Sequence, residues 1–452
     1  MTAEISETTS MGEPFAAKTR STGEAAQHPA GERAIPSYKP GRQRGILVIV
    51  RRSLVWLLTR QWLMRLLRTC WPIPRLFRYA MVTRYDDVAE VLSRPDVFKV
   101  PFAEEIARLN DIGENSSTPF ILGIDDKEAH DRQLKRVMQA FRREDIAKVT
   151  ALSRTSADNA ISSSTACPSS KRRQIDAIRD LITRVPLEVC KKYYGVEIEE
   201  QQKFAYATMD VSGHLFGRPT VKPRPAIDKA AAYFRAVVDQ AIDGEIKNPG
   251  NSDTVLERLV AMQKAPDNLT RNDIRAFLMG MIVGFVPTNT MAGGHILEML
   301  LRKEKFMDAA REAAGAGDDD LLERTLFEAM RFMPHNPGPF RICSRDYTVA
   351  PGTSRAKTIK KESKVFVWTM SAMFDSHQVD RPREFNPHRP ASDYMLLGYG
   401  MHWCVGAFIA RVQIAQTFKA LLAQPNLKRA GKLQLRELFP DHLLVEFDPV
   451  KR

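Results

Sequence analysis

Paired cysteines are the first thing this chain lacks. Its five cysteines, at positions 70, 167, 190, 343 and 404, are odd in number and show no Cys-x-x-Cys spacing. That argues against a disulfide framework or a zinc site and for a reducing compartment. Long apolar runs are scarce as well. None in the first 30 residues has the make-up of a secretory signal. Over 46–71 arginines break the ~18-residue continuity that a membrane-spanning helix needs. Internal repeats, zinc-finger signatures and RNA-binding signatures are also missing. Nucleic acid is therefore no expected partner, although the formal net charge is +13. Residues 1–44 hold almost no large apolar side chains, and Ser, Thr, Gly, Pro and charge dominate there. A tail of that kind stays disordered because it cannot bury enough surface.

What is present is ample core material: 44% apolar residues over 452 positions, with five Trp. The cationic surplus favours acidic partners, either an acidic electron-transfer protein or anionic lipid. Residues 45–71 read as a basic amphipathic helix, in which Trp56, Trp62 and Trp71 are interspersed with Arg51, Arg52, Arg60, Arg65 and Arg68. Such a helix suits a membrane interface. It equally suits a first helix packed on the domain with its arginines in solvent.

From residue 72 a single domain is expected to run to 452. A strand over 79–83 and a helix over 85–92 open it, followed by an irregular stretch over 94–120. A helix over 130–141 carries a basic run of Arg132, Lys135 and Arg136, continued by Arg142 and Arg143. After a Ser-rich connection over 162–173, several helices fill 175–245, broken by Pro/Gly-rich loops at 216–219 and 222–225 that suit either a lid or an inert surface loop. Residues 272–301 form a long apolar helix, 303–320 a charged surface connection, and 321–332 a further helix. A basic insertion lies at 353–361, and 433–447 read as a closing hairpin.

The chemistry concentrates at Leu397-Gly398-Tyr399-Gly400-Met401-His402-Trp403-Cys404-Val405-Gly406. A lone cysteine ends a glycine-rich loop, and apolar residues at helical spacing follow it. That puts Cys404 at a helix N-terminus, where unpaired N–H groups favour thiolate over thiol. Glycines let a flat partner approach the backbone closely. A thiolate in such a loop suits iron, and haem iron held by cysteine is the setting that favours O–O cleavage.

Gly-x-Gly-x-His-x-Cys-x-Gly resembles the haem-binding loop of bacterial cytochromes P450, with Leu397 where the family usually has Phe. The resemblance extends over about 380 residues, from 72 to 452. It implies a mainly α fold with a smaller β region, haem b as cofactor, Cys404 as its metal ligand and His402 as a propionate partner. His130, eleven residues before Phe141, matches the family's propionate-binding His. The family's Arg four residues after that His is Leu134 here, so Arg132 or Lys135 would have to take its place. Arg341 resembles the family's propionate-binding Arg. Glu328-Ala329-Met330-Arg331 with Phe385-Asn386-Pro387-His388-Arg389 resembles its structural ion network.

The central helix departs from the pattern. With Gly284 on the family's glycine, Val286 stands at the acid and Pro287 at the threonine that together deliver protons to dioxygen. Pro287 should also free the Val283 carbonyl and kink the helix. Thr288 or a water is then the proton donor, which makes Thr288 the candidate catalytic residue.

The function implied is a monooxygenase acting on a small apolar organic molecule, using dioxygen and electrons from a ferredoxin or flavodoxin. The rival is a peroxygenase or hydroperoxide isomerase that needs no relay. A third reading is a haem-binding sensor. The expected location is cytoplasmic, with 46–71 allowing peripheral contact at the inner membrane face.

Overall fold

The domain is built around one helix. In the computed structural model, which describes residues 60–110, 120–167, 170–216 and 222–449, Arg271–Arg302 forms a helix of 32 residues. Thr270 starts it with a reciprocal capping box. Its hydroxyl accepts from Asp273 N–H, and the Asp273 carboxylate accepts from Thr270 N–H. The helix is apolar on every side and is buried on every side, as a core helix must be. It is long and apolar enough to cross a membrane, but other helices of this domain cover it. Between 281 and 290 only Gly284 and Thr288 escape full burial. Pro287 lies inside this helix without ending it.

Two apolar clusters meet along the central helix. Its first two thirds pack with Phe204, Phe234 and Leu256. Its last third packs with Leu322, Leu326 and Phe418. The helices Gln201–Leu215, Arg224–Lys247, Asp319–Phe332 and Ala407–Leu422 surround it. The largest sheet has five strands. Tyr79–Val82 runs parallel to Lys364–Val367 in the register Tyr79↔Lys364. Phe340–Cys343 joins antiparallel with Arg341 opposite Val365. Alternation along that strand buries Arg341 and Cys343 together.

Four expectations need correction. The stretch 94–120 is not irregular throughout, since Ala103–Asn110 is a helix that buries Ile106 and Leu109. The stretch 303–320 is not a bare surface connection. Glu304–Ala316 is a helix that buries Phe306, Met307, Ala310 and Ala313, one face at helical spacing, and Gly317 ends it at a φ of 74°. The closing hairpin is shorter than expected. Gln434–Arg436 pairs with Phe439–His442, whereas Leu444–Phe447 joins another sheet beside Arg173–Asp176. The arginines of the first helix are not all in solvent either. In Gln61–Cys70, Arg68 is buried and donates to Ser371 O (2.8 Å) and Ser371 Oγ (2.9 Å). Burial pulls its guanidinium down to about 10.

Residues 1–44 and 45–59, and 111–119 and 217–221 within the two expected loops, lie outside the described residues. The basic insertion has a structural use: Arg355 pairs with the buried Asp87 at 2.9 Å, and Lys360 pairs with Asp346 at 2.8 Å.

Candidate functional site

A cavity of about 1020 Å³ opens against the middle of the central helix. The Cys404 loop, the His130 helix, Arg341 and the Gly284–Thr288 turn share its wall. The loop folds back on itself, with Cys404 N–H donating to Leu397 O at 2.8 Å. Gly398 makes this possible at φ 91°, since a Cβ there would come within 2.9 Å of His402 O. The following helix, Ala407–Leu422, begins later than the sequence reading expects. Its cap is Gly406, so Cys404 stands two residues before the cap. Burial raises the Cys404 thiol pKa and the Gly406 N–H partly offsets it. A cation on the sulfur would work against that burial.

Beside the cysteine lies a set of groups suited to anions. His130, on Lys127–Ala140, is buried, and its Nδ1 makes no hydrogen bond among the described residues. Asp131 is the nearest carboxylate at 3.8 Å, too long to count as one. Burial, then the neighbouring His402, lowers the pKa of His130. The two imidazoles meet edge to face with centroids 5.5 Å apart. Arg341 is buried and donates to Phe340 O at 2.9 Å, and burial brings its guanidinium down to about 10.

Asp125, which the sequence reading missed, sits among them. Its carboxylate lies 3.2 Å from His402 Nε2 and accepts from Val100 N–H at 3.1 and 3.3 Å. The signal was a doubled aspartate before a helix. Asp126 is the N-cap, accepting from Ala129 N–H at 2.8 Å, and this leaves Asp125 free for another use. Neither expected substitute for the missing arginine reaches this place. Arg132 is 71% exposed and pairs only loosely with Glu128 (3.9 Å), and Lys135 is exposed. Leu134 lines the cavity instead.

On the central helix the register is one residue later than expected. Val286 and Pro287 are fully buried away from the cavity, while Gly284, Thr288 and Asn289 line it. Thr288 Oγ1 donates to the carbonyl of Gly284, one turn earlier, and also lies 3.3 Å from Phe285 O. The alcohol is therefore present on the cavity wall, and only the acid is missing. Asn289 is a second polar residue on that wall: buried, with Nδ2 unpartnered among the described residues. A Cβ on Gly284 would meet nothing within 4 Å, so the helix presents a bare edge to the cavity.

Two further networks hold the site. Glu105, in the cavity wall, joins three helices through Arg108 (3.0 Å), His214 (2.8 Å) and Arg224 (3.0 Å). The Arg108 hydrogen bond, with help from His214, pulls its carboxyl down to about 2. Beneath the Cys404 loop, Glu328 is fully buried. It accepts from Arg331 (2.7 and 2.8 Å), Arg389 (3.2 Å), Tyr394 Oη (2.9 Å) and Asn386 N–H (3.0 Å). This is the ion network expected from sequence, with Tyr394 as an extra member.

The chain is similar to known proteins over much of its length. A sequence profile described as "Cytochrome P450" matches residues 221–430. Polyketide biosynthesis cytochrome P450 PksS of Bacillus subtilis is 21% identical over 77% of this chain and 82% of that protein. A steroid C26-monooxygenase of Mycobacterium tuberculosis is 23% identical over 70% of this chain and 80% of its own. For cytochrome P450 165B3 of Amycolatopsis orientalis, 28% identical over 57% of this chain, the match spans only 61% of the relative. Among solved structures, a mutant of P450 EryK in complex with erythromycin B superposes with a TM-score of 0.70 at 21% identity, over 88% of this chain and 97% of the other. The Tepidiphilus thermophilus P450 heme domain does so with a TM-score of 0.70 at 20% identity, over 86% and 94%.

Proposed function

We propose that this chain, as a member of the cytochrome P450 family, is a monooxygenase of apolar organic molecules in which Cys404 holds the metal of haem b. Members of this family are haem-dependent oxidoreductases that bind haem b through a cysteine thiolate.

The residues present fit that group. Gly284 leaves an open edge for something flat, the Cys404 sulfur lies in the cavity wall, and a buried arginine and an unpartnered buried histidine call for anions. Arg341, His130 and His402 would hold the two carboxylates. When bound, haem with a thiolate ligand supplies O–O cleavage and the oxidising power, chemistry that no side chain provides.

The remaining tasks fall to the protein. Thr288 keeps a proton at Oγ1, directed at the Gly284 carbonyl, from which it can turn into the cavity. Apolar walls built from Phe102, Leu122, Leu215, Phe216 and Phe285 exclude water and select an apolar guest. Glu105 and His214 in the cavity wall offer one polar contact to it. Two curated relatives are named vitamin D(3) 25-hydroxylase and steroid C26-monooxygenase. Their names support a guest of comparable size here. Electrons would come from an acidic ferredoxin or flavodoxin, for which the exposed Arg132, Lys135, Arg142 and Arg143 offer a docking face. The place of action would be the cytoplasm.

The observation that carries this reading is Thr288 on the cavity wall one turn after Gly284. The hydroperoxide alternative drew its support from the absence of both acid and alcohol, and the alcohol is there. Thr288→Ala should therefore lower product formation driven by reductant and dioxygen by about 10²–10⁴-fold, the usual worth of general acid help. Turnover driven by hydrogen peroxide should persist. Unchanged dioxygen-driven turnover in Thr288→Ala would remove Thr288 from the mechanism.

A further inference from the structure

Six of the ten exposed large hydrophobic side chains of the described residues fall between 62 and 79: Trp62, Leu66, Trp71, Leu76, Phe77 and Tyr79. Single exposed apolar residues are ordinary, but a contiguous group marks an interaction surface. Here one helix and the hairpin that follows it carry the group. On Gln61–Cys70, Leu63, Met64 and Leu67 face inward onto Phe366, Trp368 and Met370. Trp62 and Leu66, one turn apart, occupy the opposite, outer stripe. Met81 joins the same inner cluster from the strand Tyr79–Val82. Tyr79, two residues earlier on that strand, shares the face of Met81.

Leu76 pairs with Tyr79, which leaves Phe77 and Arg78 as a two-residue turn. Phe77 is 89% exposed and has a φ of 50°. Two-residue turns normally use Asn or Gly in that left-handed region, and a bulky aromatic there is costly. A phenylalanine held in that region on an exposed hairpin tip is an arrangement that local stability does not favour.

The rim of this corner is basic. Arg65 is exposed on the helix, and Arg78 is 71% exposed and pairs with Glu362. Arg75 donates to Thr358 O at 2.5 Å, which ties the hairpin to the basic insertion. Lys357 and Lys361 of that insertion are exposed, and Lys360 is taken up by Asp346.

We propose that this corner, with Phe77 at its tip, docks on the surface of an anionic lipid bilayer. Aromatic side chains at headgroup depth with arginine and lysine around them are the chemistry of interfacial binding. The basic rim and the net charge of +13 favour anionic lipid over a second copy of this equally basic chain. The inference stands apart from the oxidase reading, because it uses none of the cavity residues.

The test uses the full haem-loaded chain and sedimentation with vesicles, either phosphatidylcholine alone or phosphatidylcholine with an equal part of phosphatidylglycerol. The unaltered protein should sediment with the anionic vesicles, less so at high salt, with a blue shift of tryptophan emission. Trp62→Ser, Leu66→Ser and Phe77→Ser combined should weaken partitioning by at least about tenfold, since burial of three apolar side chains is lost. Haem content should stay the same, which shows that the variant is folded. Arg65→Gln with Lys357→Gln and Lys361→Gln should abolish the preference for phosphatidylglycerol. The proposal fails if the unaltered protein stays in the supernatant with both vesicles, or if the triple serine variant sediments as well as the original. It also fails if the protein is a dimer that the triple serine variant splits while neither form binds lipid, in which case a second copy covers the face.

Discussion

Glu328→Ala offers the sharpest reading of how the Cys404 loop is held. The carboxylate is fully buried and takes donors from two arginines, one tyrosine and one backbone N–H. Deleting it leaves Arg331 buried without a counter-charge and Arg389 with only Asp393, 3.6 Å away. Breaking a buried pair from one side costs about 3–5 kcal/mol. Backbone carbonyls soften this: Pro382 O at 2.7 Å for Arg331, Arg381 O at 2.8 Å for Arg389. The lower end, about 3 kcal/mol, is therefore the working figure. With a urea slope of about 3 kcal/mol per molar, the unfolding midpoint of the holoprotein should fall by about 1 M. Tyr394→Phe removes one hydrogen bond to the same charged group, about 1.5 kcal/mol, and should shift the midpoint by about half as much. Far-UV circular dichroism during urea titration reads both. A Glu328→Ala midpoint within about 0.3 M of the original, at about 3 kcal/mol per molar, would show that these contacts do not hold the loop.

Two more expectations follow from the site. Arg341→Leu should lower haem content by loss of a charge-assisted hydrogen bond, roughly 1.5–3 kcal/mol or one to two orders of magnitude in affinity, while the shape of the remaining spectrum is kept; pyridine haemochrome titration measures it. Glu105 has its carboxyl pulled from 4.5 to about 2 in the folded protein, so the unfolded chain binds the proton more readily. Its contribution to stability is present above the unfolded value and is lost as pH falls from about 4.5 toward 2. Glu105→Gln should flatten that part of the stability–pH curve, and thermal midpoints between those pH values check it.

Motifs whose spacing is local came through the sequence well. The Cys404 loop, Glu328 with Arg331, the His130 to Phe141 interval and the central helix all stand where pattern put them, because each depends on neighbours in the chain. What depended on rotation about a helix axis did not come through. Thr288 rather than position 287 faces the cavity, since a shift of one residue turns a side chain by about 100°. The doubled aspartate marked Asp125 as available, but its partners, His402 and Val100, lie far from it in sequence. The helix Glu304–Ala316 was hidden by its charges and small residues, although Phe306, Met307, Ala310 and Ala313 already traced its buried stripe. The basic insertion gave no clue to Arg355 and Asp87, whose pairing is made by tertiary packing alone.

The claim on which the rest stands is that the sulfur of Cys404 holds the haem metal. Its direct test is the difference spectrum of the reduced protein with carbon monoxide, taken on the unaltered chain, Cys404→Ala and Cys343→Ala. Thiolate ligation predicts the red-shifted Soret band in the first and third and its loss in the second. A Cys404→Ala protein that keeps the shifted band would place the ligand elsewhere and contradict the account.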